Sequence, residues 1–422
     1  MNWAAPNWQE DLKKAGYDVR TATVGPFASN WDRACELYAY IKGGTVYYGK
    51  NHAQTHNHKL TGRTYPGIFP QWGEVINGEV QKIHIVAHSM GGQTARMLAQ
   101  LLAEGTKGAP IQEDPNSHPL FAGGKDWIHS ISTFATPNQG TLLADGFDTF
   151  GDAVENLVGA IVGSVNAFGG GVSMLYDTKL DQWGLSPRQN GENLKDYIKR
   201  VFNSPVLKNA GKDLCLYSLS AAGAKEELTW VKTQPKIYYY SATNSDSFRL
   251  GSIQLPRPQS MLLPLQPLSV FLGSSYATKK GYSSAWQEND GVVNTPSMKS
   301  DGKAQVVEGV AVSAPGRWHH IGLFNTLDHE AVVGVKLFVN ILNVYTAQAR
   351  ILYELPATKV GRRLRSASVE LAHSEEATRR VSEAVAAVNA PVEPTKEQIL
   401  AVCAQPANDA VRLACEPHMR RL

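Results

Sequence analysis

Cysteine is scarce in this chain, and its four cysteines, at positions 35, 215, 403 and 415 of 422, fit neither a disulfide scaffold nor a cysteine zinc ribbon. The redox compartment therefore stays open. A surplus of either charge is missing as well. The 41 Lys and Arg against 38 Asp and Glu leave +3 with histidine neutral, too weak a balance to point to nucleic acid or an anionic membrane surface. No uncharged apolar run reaches the roughly 20 residues of a membrane helix, which argues against stable insertion in a bilayer. The opening residues, Met1-Asn2-Trp3-Ala4-Ala5-Pro6, have neither the basic start nor the apolar stretch of a secretion signal.

What is present is ordinary globular material, 43% hydrophobic and 9% aromatic. At roughly 150 residues per domain the length allows two to three domains, or one large α/β unit. The clearest local pattern is the apolar run Lys82-Ile83-His84-Ile85-Val86-Ala87, then His88-Ser89-Met90-Gly91-Gly92, then Gln93-Thr94-Ala95-Arg96-Met97-Leu98. It reads as strand, tight turn, helix. Further strands are expected at Ile128–Phe134, before Pro137, and at 237–241. Strands separated by helices imply a mainly parallel sheet. Between Asp152 and Phe168 apolar residues recur at helical spacing, which predicts an amphipathic helix with a glycine exit at 169–171. From about Ala357 the glycines and aromatics thin out, and a helical, partly disordered appendage is expected over 357–422.

Ala87-His88-Ser89-Met90-Gly91 fits the nucleophile elbow G-x-S-x-G with alanine first, in the strand-to-helix setting the motif requires. Small residues at 87 and 91 are expected because bulk there would clash with the neighbouring strand and helix. The turn would expose the Ser89 hydroxyl and present the Met90 N–H to an oxyanion. A serine alone is a poor nucleophile, and in this chain order an acid and then a histidine must follow. Asp290, in Glu288-Asn289-Asp290-Gly291, and the histidine of Asn325-Thr326-Leu327-Asp328-His329-Glu330 are candidates. Local sequence does not choose among His319, His320 and His329.

These residues together resemble the secreted bacterial lipases of the thermoalkalophilic Geobacillus type, with staphylococcal lipases as cousins. The likeness runs from about residue 2 to about 345. It includes Ser29-Asn30-Trp31-Asp32-Arg33, Gly62-Arg63-Thr64-Tyr65-Pro66-Gly67, the elbow, Ala135-Thr136-Pro137 and Leu180-Asp181-Gln182-Trp183. The resemblance implies an α/β-hydrolase fold over 1–356, with a lid at about 150–175. It implies hydrolysis of acylglycerol esters at a lipid–water interface, an extracellular setting, and the catalytic set Ser89, Asp290 and His329, with Met90 as oxyanion donor. A non-catalytic lipid-binding relative and an acyltransferase with the same triad are the rival readings.

The same resemblance implies structural zinc held by Asp32, His52 and His58. The aspartate of the family's fourth position is replaced by Ser218, so three protein ligands with water, or Asp213, would complete the site. Calcium is not expected, because the family's two acidic ligands after the catalytic histidine are here Ala331 and Lys336. In the family an initial strand leads into a His-Gly loop that supplies the first oxyanion donor. This chain starts past that point, so half the oxyanion hole and one strand are expected to be absent, with the natural N-terminus and its signal peptide upstream of Met1.

Overall fold

The computed structural model describes residues 8–146, 179–205, 211–334, 341–356 and 370–389. The expected lid stretch, Lys336, Cys403 and Cys415 lie outside the described residues. Cys35 and Cys215 are buried free thiols.

The chain builds a five-stranded parallel sheet from β1 (Ile83–His88), β2 (Ile128–Phe134), β3 (Tyr238–Asn244), β4 (Val306–Glu308) and β5 (Trp318–Phe324), in the spatial order β4-β5-β3-β2-β1. The three strands expected from apolar runs are all present. Register places Ile85 beside Ile131, Ile131 beside Tyr239, and Tyr239 beside Trp318. β2 and β3 are buried along their whole length, as parallel strands covered on both faces must be. Among the described residues β1 pairs on one side only, with β2, and Val86 on it is 46% exposed.

Two cores follow from the two faces. On one, Ile131, Tyr239 and Trp318 meet α1 (Asn30–Lys42) and α2 (Met90–Glu104), which contribute Trp31, Tyr38, Leu98 and Leu102. On the other, Phe134, Tyr240 and Phe324 meet α3 (Leu342–Tyr353) and α4 (Glu375–Val388). Tyr345 of α3 stacks on Phe134 at 4.6 Å between centroids. The parallel strands and their flanking helices make an α/β fold. Of the C-terminal appendage, the described part is ordered secondary structure: Leu371–Ala372 pairs antiparallel with Val312–Ser313, and α4 follows under a Ser374 cap.

Candidate functional site

Ser89 closes β1 and opens α2 with φ +53° and ψ −135°, a backbone state that L residues seldom adopt. Its N–H is held by the Phe134 carbonyl of β2 at 3.0 Å. The requirement for small residues is most severe one position past the motif. A Cβ on Gly91 would meet only Ala87 Cβ at 3.6 Å, ordinary contact. One on Gly92 would lie 2.3 Å from Thr136 Oγ1 and 2.9 Å from Thr133 Cγ2. It is Gly92 that lets α2 start against β2.

The strained turn brings the Ser89 hydroxyl to the loop after β5. There Ser89 Oγ lies 2.8 Å from His329 Nε2, and His329 Nδ1 lies 2.8 Å from Asp290 Oδ2. The other Asp290 oxygen accepts from the backbone N–H groups of Val292 (3.0 Å) and Val293 (2.8 Å), which fixes the carboxylate's angle. The Asp290 carbonyl in turn accepts from the His329 N–H at 2.9 Å. Asp290 and His329 are buried. Burial works against a charge on His329, but the charge and hydrogen bond of Asp290 more than offset it and hold the imidazole above its ordinary range. Met90 is the first residue of α2, so its N–H has no carbonyl within the helix to bond.

The structure also separates histidines that local sequence could not. His319 and His320 lie inside β5, one receiving the Ala314 N–H on Nε2 at 3.0 Å, the other bound to Glu308 at 2.7 Å and to Thr243 at 3.0 Å. Asp328, next to His329, has its carboxylate occupied by the N–H groups of Leu262, Glu330 and Ala331. His88 is a neighbour that sequence reading passed over. Burial, with the adjacent His329, holds its pKa well below the ordinary value, and the neutral ring donates from Nε2 to the His329 carbonyl at 2.8 Å. Glu330 is buried as well, and burial pushes its pKa up to about 7.

Four further side chains converge on one point: Asp32 from α1, His52 from the short helix Lys50–His56, His58 just after it, and Asp213 from the turn Gly211–Asp213. All their ligand atoms lie within 4.8 Å of one another. Of the two completions left open for the fourth position, water or Asp213, it is Asp213 that reaches the cluster, while Ser218, aligned with the family's aspartate, has its Oγ accepting from the Asn30 N–H at 3.3 Å. His58 Nδ1–H donates to the Lys59 carbonyl at 2.7 Å, which leaves a lone pair on Nε2 facing Asp213 Oδ2 at 3.3 Å. His58 Nε2, Asp32 Oδ1 and Asp213 Oδ2 are buried without a hydrogen-bond partner. Two carboxylates and two imidazoles facing one another in a buried space call for positive charge among them, supplied by protons on the rings or by a metal ion. The same demand shows on His52. Burial disfavours its charge, yet Asp213 and Asp32 lift its pKa to about 9. Asp32 is further held by Gln182 Nε2 at 2.9 Å, and the His52 N–H by Glu113 at 2.7 Å.

Ala331, one of the two positions read against calcium, is a buried apolar residue of the second core. The two candidate sites are tied through α1 and α2: Arg33, beside Asp32, donates to Thr94 Oγ1 at 2.8 Å, and Thr94 Oγ1 donates to the Met90 carbonyl at 3.1 Å.

Compared with known proteins, residues 3–344 match the family described as "Lipase-like, C-terminal domain". A lipase of Staphylococcus epidermidis is 34% identical over 332 residues, which is 78% of this chain and 46% of the relative. The chain thus spans about half the length of the curated relatives it matches. Among solved structures, lipase 1 from Pelosinus fermentans is 42% identical with a TM-score of 0.72, over 83% of this chain and 92% of that one. EstA from Clostridium botulinum is 39% identical with a TM-score of 0.70, over 84% and 82%.

Proposed function

Because the chain belongs to the family of lipase-like C-terminal domains, we propose that it is a serine carboxylic-ester hydrolase of the α/β-hydrolase type, acting on acylglycerols. The observation that carries this reading is the unbroken series Asp290–His329–Ser89, two hydrogen bonds of 2.8 Å at a strained strand-to-helix turn.

His329 Nε2 takes the proton of Ser89 Oγ as the oxygen attacks the ester carbonyl. Asp290 orients the imidazole and stabilises its charged form. The Met90 N–H donates to the oxyanion. The tetrahedral adduct collapses, His329 returns the proton to the departing alcohol, and an acyl-Ser89 ester remains. Water then repeats the sequence, deprotonated by His329, and releases the fatty acid. His88 keeps the His329 backbone in place and, being neutral, adds no charge against the imidazolium.

Asp32, His52, His58 and Asp213 fit a metal ion with nitrogen and oxygen preference, and we propose zinc. When bound it neutralises two buried carboxylates and joins α1 to the His52–His58 segment and the Asp213 turn. Its place in this reading is structural.

The test is hydrolysis of a long-chain p-nitrophenyl ester by the full chain beside Ser89→Ala. The wild type is expected to turn over and release free acid, and the variant to lose turnover. Equal rates in the two would overturn the assignment.

A further inference from the structure

Residues 371–389 lie past residue 344, where the family match ends, yet they reach the loop that carries His329. Asn389, at the C-terminal end of α4, uses its side-chain amide as a partner for the end of β5. Its Oδ1 accepts from the Asn325 N–H at 2.8 Å, and its Nδ2 donates to the Leu323 carbonyl at 2.6 Å. One residue on, Thr326 Oγ1 donates to the Val388 carbonyl at 3.0 Å. Three bonds therefore run between the last two residues of α4's end and residues 323–326, immediately ahead of Leu327, Asp328 and His329.

The helix is not free to slide away from these contacts. Ala377, Val381, Ala384 and Val388 form one buried stripe in the core that also holds Phe324 and Leu327. A Cβ at Gly322 of β5 would approach Val385 Cγ1 to 3.0 Å, so helix and strand are in close contact. At the other end His373 Nε2 bonds Ser313 Oγ at 2.8 Å, and the Ser374 N–H donates to Glu354 at 2.9 Å. An element fixed at both ends has the stiffness to hold a loop.

We propose that the C-terminal end of α4 supports the hydrolytic site, with Asn389 and Thr326 as positioning residues that set the path of the chain into His329. The proposal rests on the reading of Ser89, His329 and Asp290 as a catalytic series. An imidazole displaced by an ångström loses about two orders of magnitude in rate, so a shift of only a fraction of that on losing one brace is enough to cost about tenfold.

The test compares Asn389→Ala, Asn389→Asp, Thr326→Val and Val381→Ala in the full chain, with Ser89→Ala alongside. On a long-chain p-nitrophenyl ester, Asn389→Ala is expected to lower kcat about tenfold with KM within about twofold, and to shift the acid limb of the pH–rate profile. Asn389→Asp keeps the acceptor for Asn325 and falls between it and wild type, and Thr326→Val loses about threefold. Val381→Ala weakens the helix packing, so it is expected to lower the unfolding temperature while kcat holds. Wild-type kcat in both Asn389→Ala and Thr326→Val, with Ser89→Ala inactive, overturns the proposal and leaves the catalytic reading standing. Loss of kcat only in step with loss of folded protein, or equally in Val381→Ala, also overturns it, since α4 would then be scaffold alone. Activity undiminished in Ser89→Ala would instead defeat the catalytic reading.

Discussion

In the proposed mechanism His329 has to be a base that is free to accept a proton yet held at one angle, and different atoms are placed to meet the two demands. Asp290 fixes Nδ1, while His88 and the Asp290 carbonyl fix the backbone. Replacing Asp290 by Asn removes the charge that offsets burial and places an amide where the Nδ1–H donates. We expect kcat to fall by about 10⁴, as for other triads that lose the carboxylate, with Ser89→Ala as the floor. The wild-type rate should also fall as pH drops, because a protonated His329 cannot take the Ser89 proton. With its pKa raised, that limb should sit above the ordinary histidine value of about 6.5. A kcat/KM profile with its acid limb below that value would contradict the arrangement. At this scale Ser89 was legible because the elbow is a local pattern. His329 was legible only through the family resemblance, because choosing it over His319 and His320 from the residues alone requires knowing which loop returns to Ser89, and no spacing in the chain encodes that return.

The elements differ in the same way. β1, β2 and β3 were legible from apolar, β-branched and aromatic residues gathered between turn signals, although only β2 and β3 are buried along their whole length. β5 was not read as a strand: His319-His320 look like loop or site residues, and the rings are tolerated because His320 bonds Thr243 and Glu308 of the adjacent strands and His319 bonds the Ala314 backbone. The elbow's glycine pair shows that the tightest packing can lie one residue past the motif. Gly91→Ala adds a methyl into ordinary contact, whereas Gly92→Ala drives one into Thr136 and Thr133. We expect Gly91→Ala to unfold in urea near the wild-type midpoint. Gly92→Ala should lose about 1–3 kcal/mol, the usual cost of overpacking, and lose activity with it, since the clash lies at the first turn of α2. Equal midpoints for the two would show that α2 starts elsewhere.

Across the whole molecule, the four converging ligands come from segments as far apart as residues 32 and 213, so a filled metal site would clamp what the backbone leaves separate. Asp32, His52 and His58 were legible by family spacing. Asp213 was only one of the open choices, because the residue aligned with the family ligand is Ser218, which the fold turns toward Asn30 instead. Chelation followed by thermal unfolding should lower the midpoint, and zinc at about 100 times its dissociation constant should restore roughly 2.7 kcal/mol. Asp213→Ala should abolish the zinc response, while Ser218→Ala should keep it. The reverse pattern would return the fourth position to residue 218.

Stability should also carry the mark of a carboxyl outside both sites. Glu227 is half-buried beside Asn30, whose Nδ2 donates to both its oxygens at 3.1 and 3.0 Å, and desolvation of the carboxyl pushes its pKa up to about 7 against an ordinary 4.5. The folded chain therefore holds a proton that the unfolded chain releases. Its contribution is complete below about 4.5 and is lost as pH rises through about 7. The loss across that window amounts to at most about 3 kcal/mol. Glu36 and Glu330, also lifted to about 7 by burial, slope the same way, so wild-type stability alone does not isolate Glu227. Glu227→Gln does, because the amide keeps an acceptor for Asn30 and removes the titration. Urea unfolding of both proteins at pH 5 and pH 8 should give a smaller drop for the variant. A variant that falls as far as the wild type between those two pH values would mean that Glu227 titrates like a solvated carboxylate.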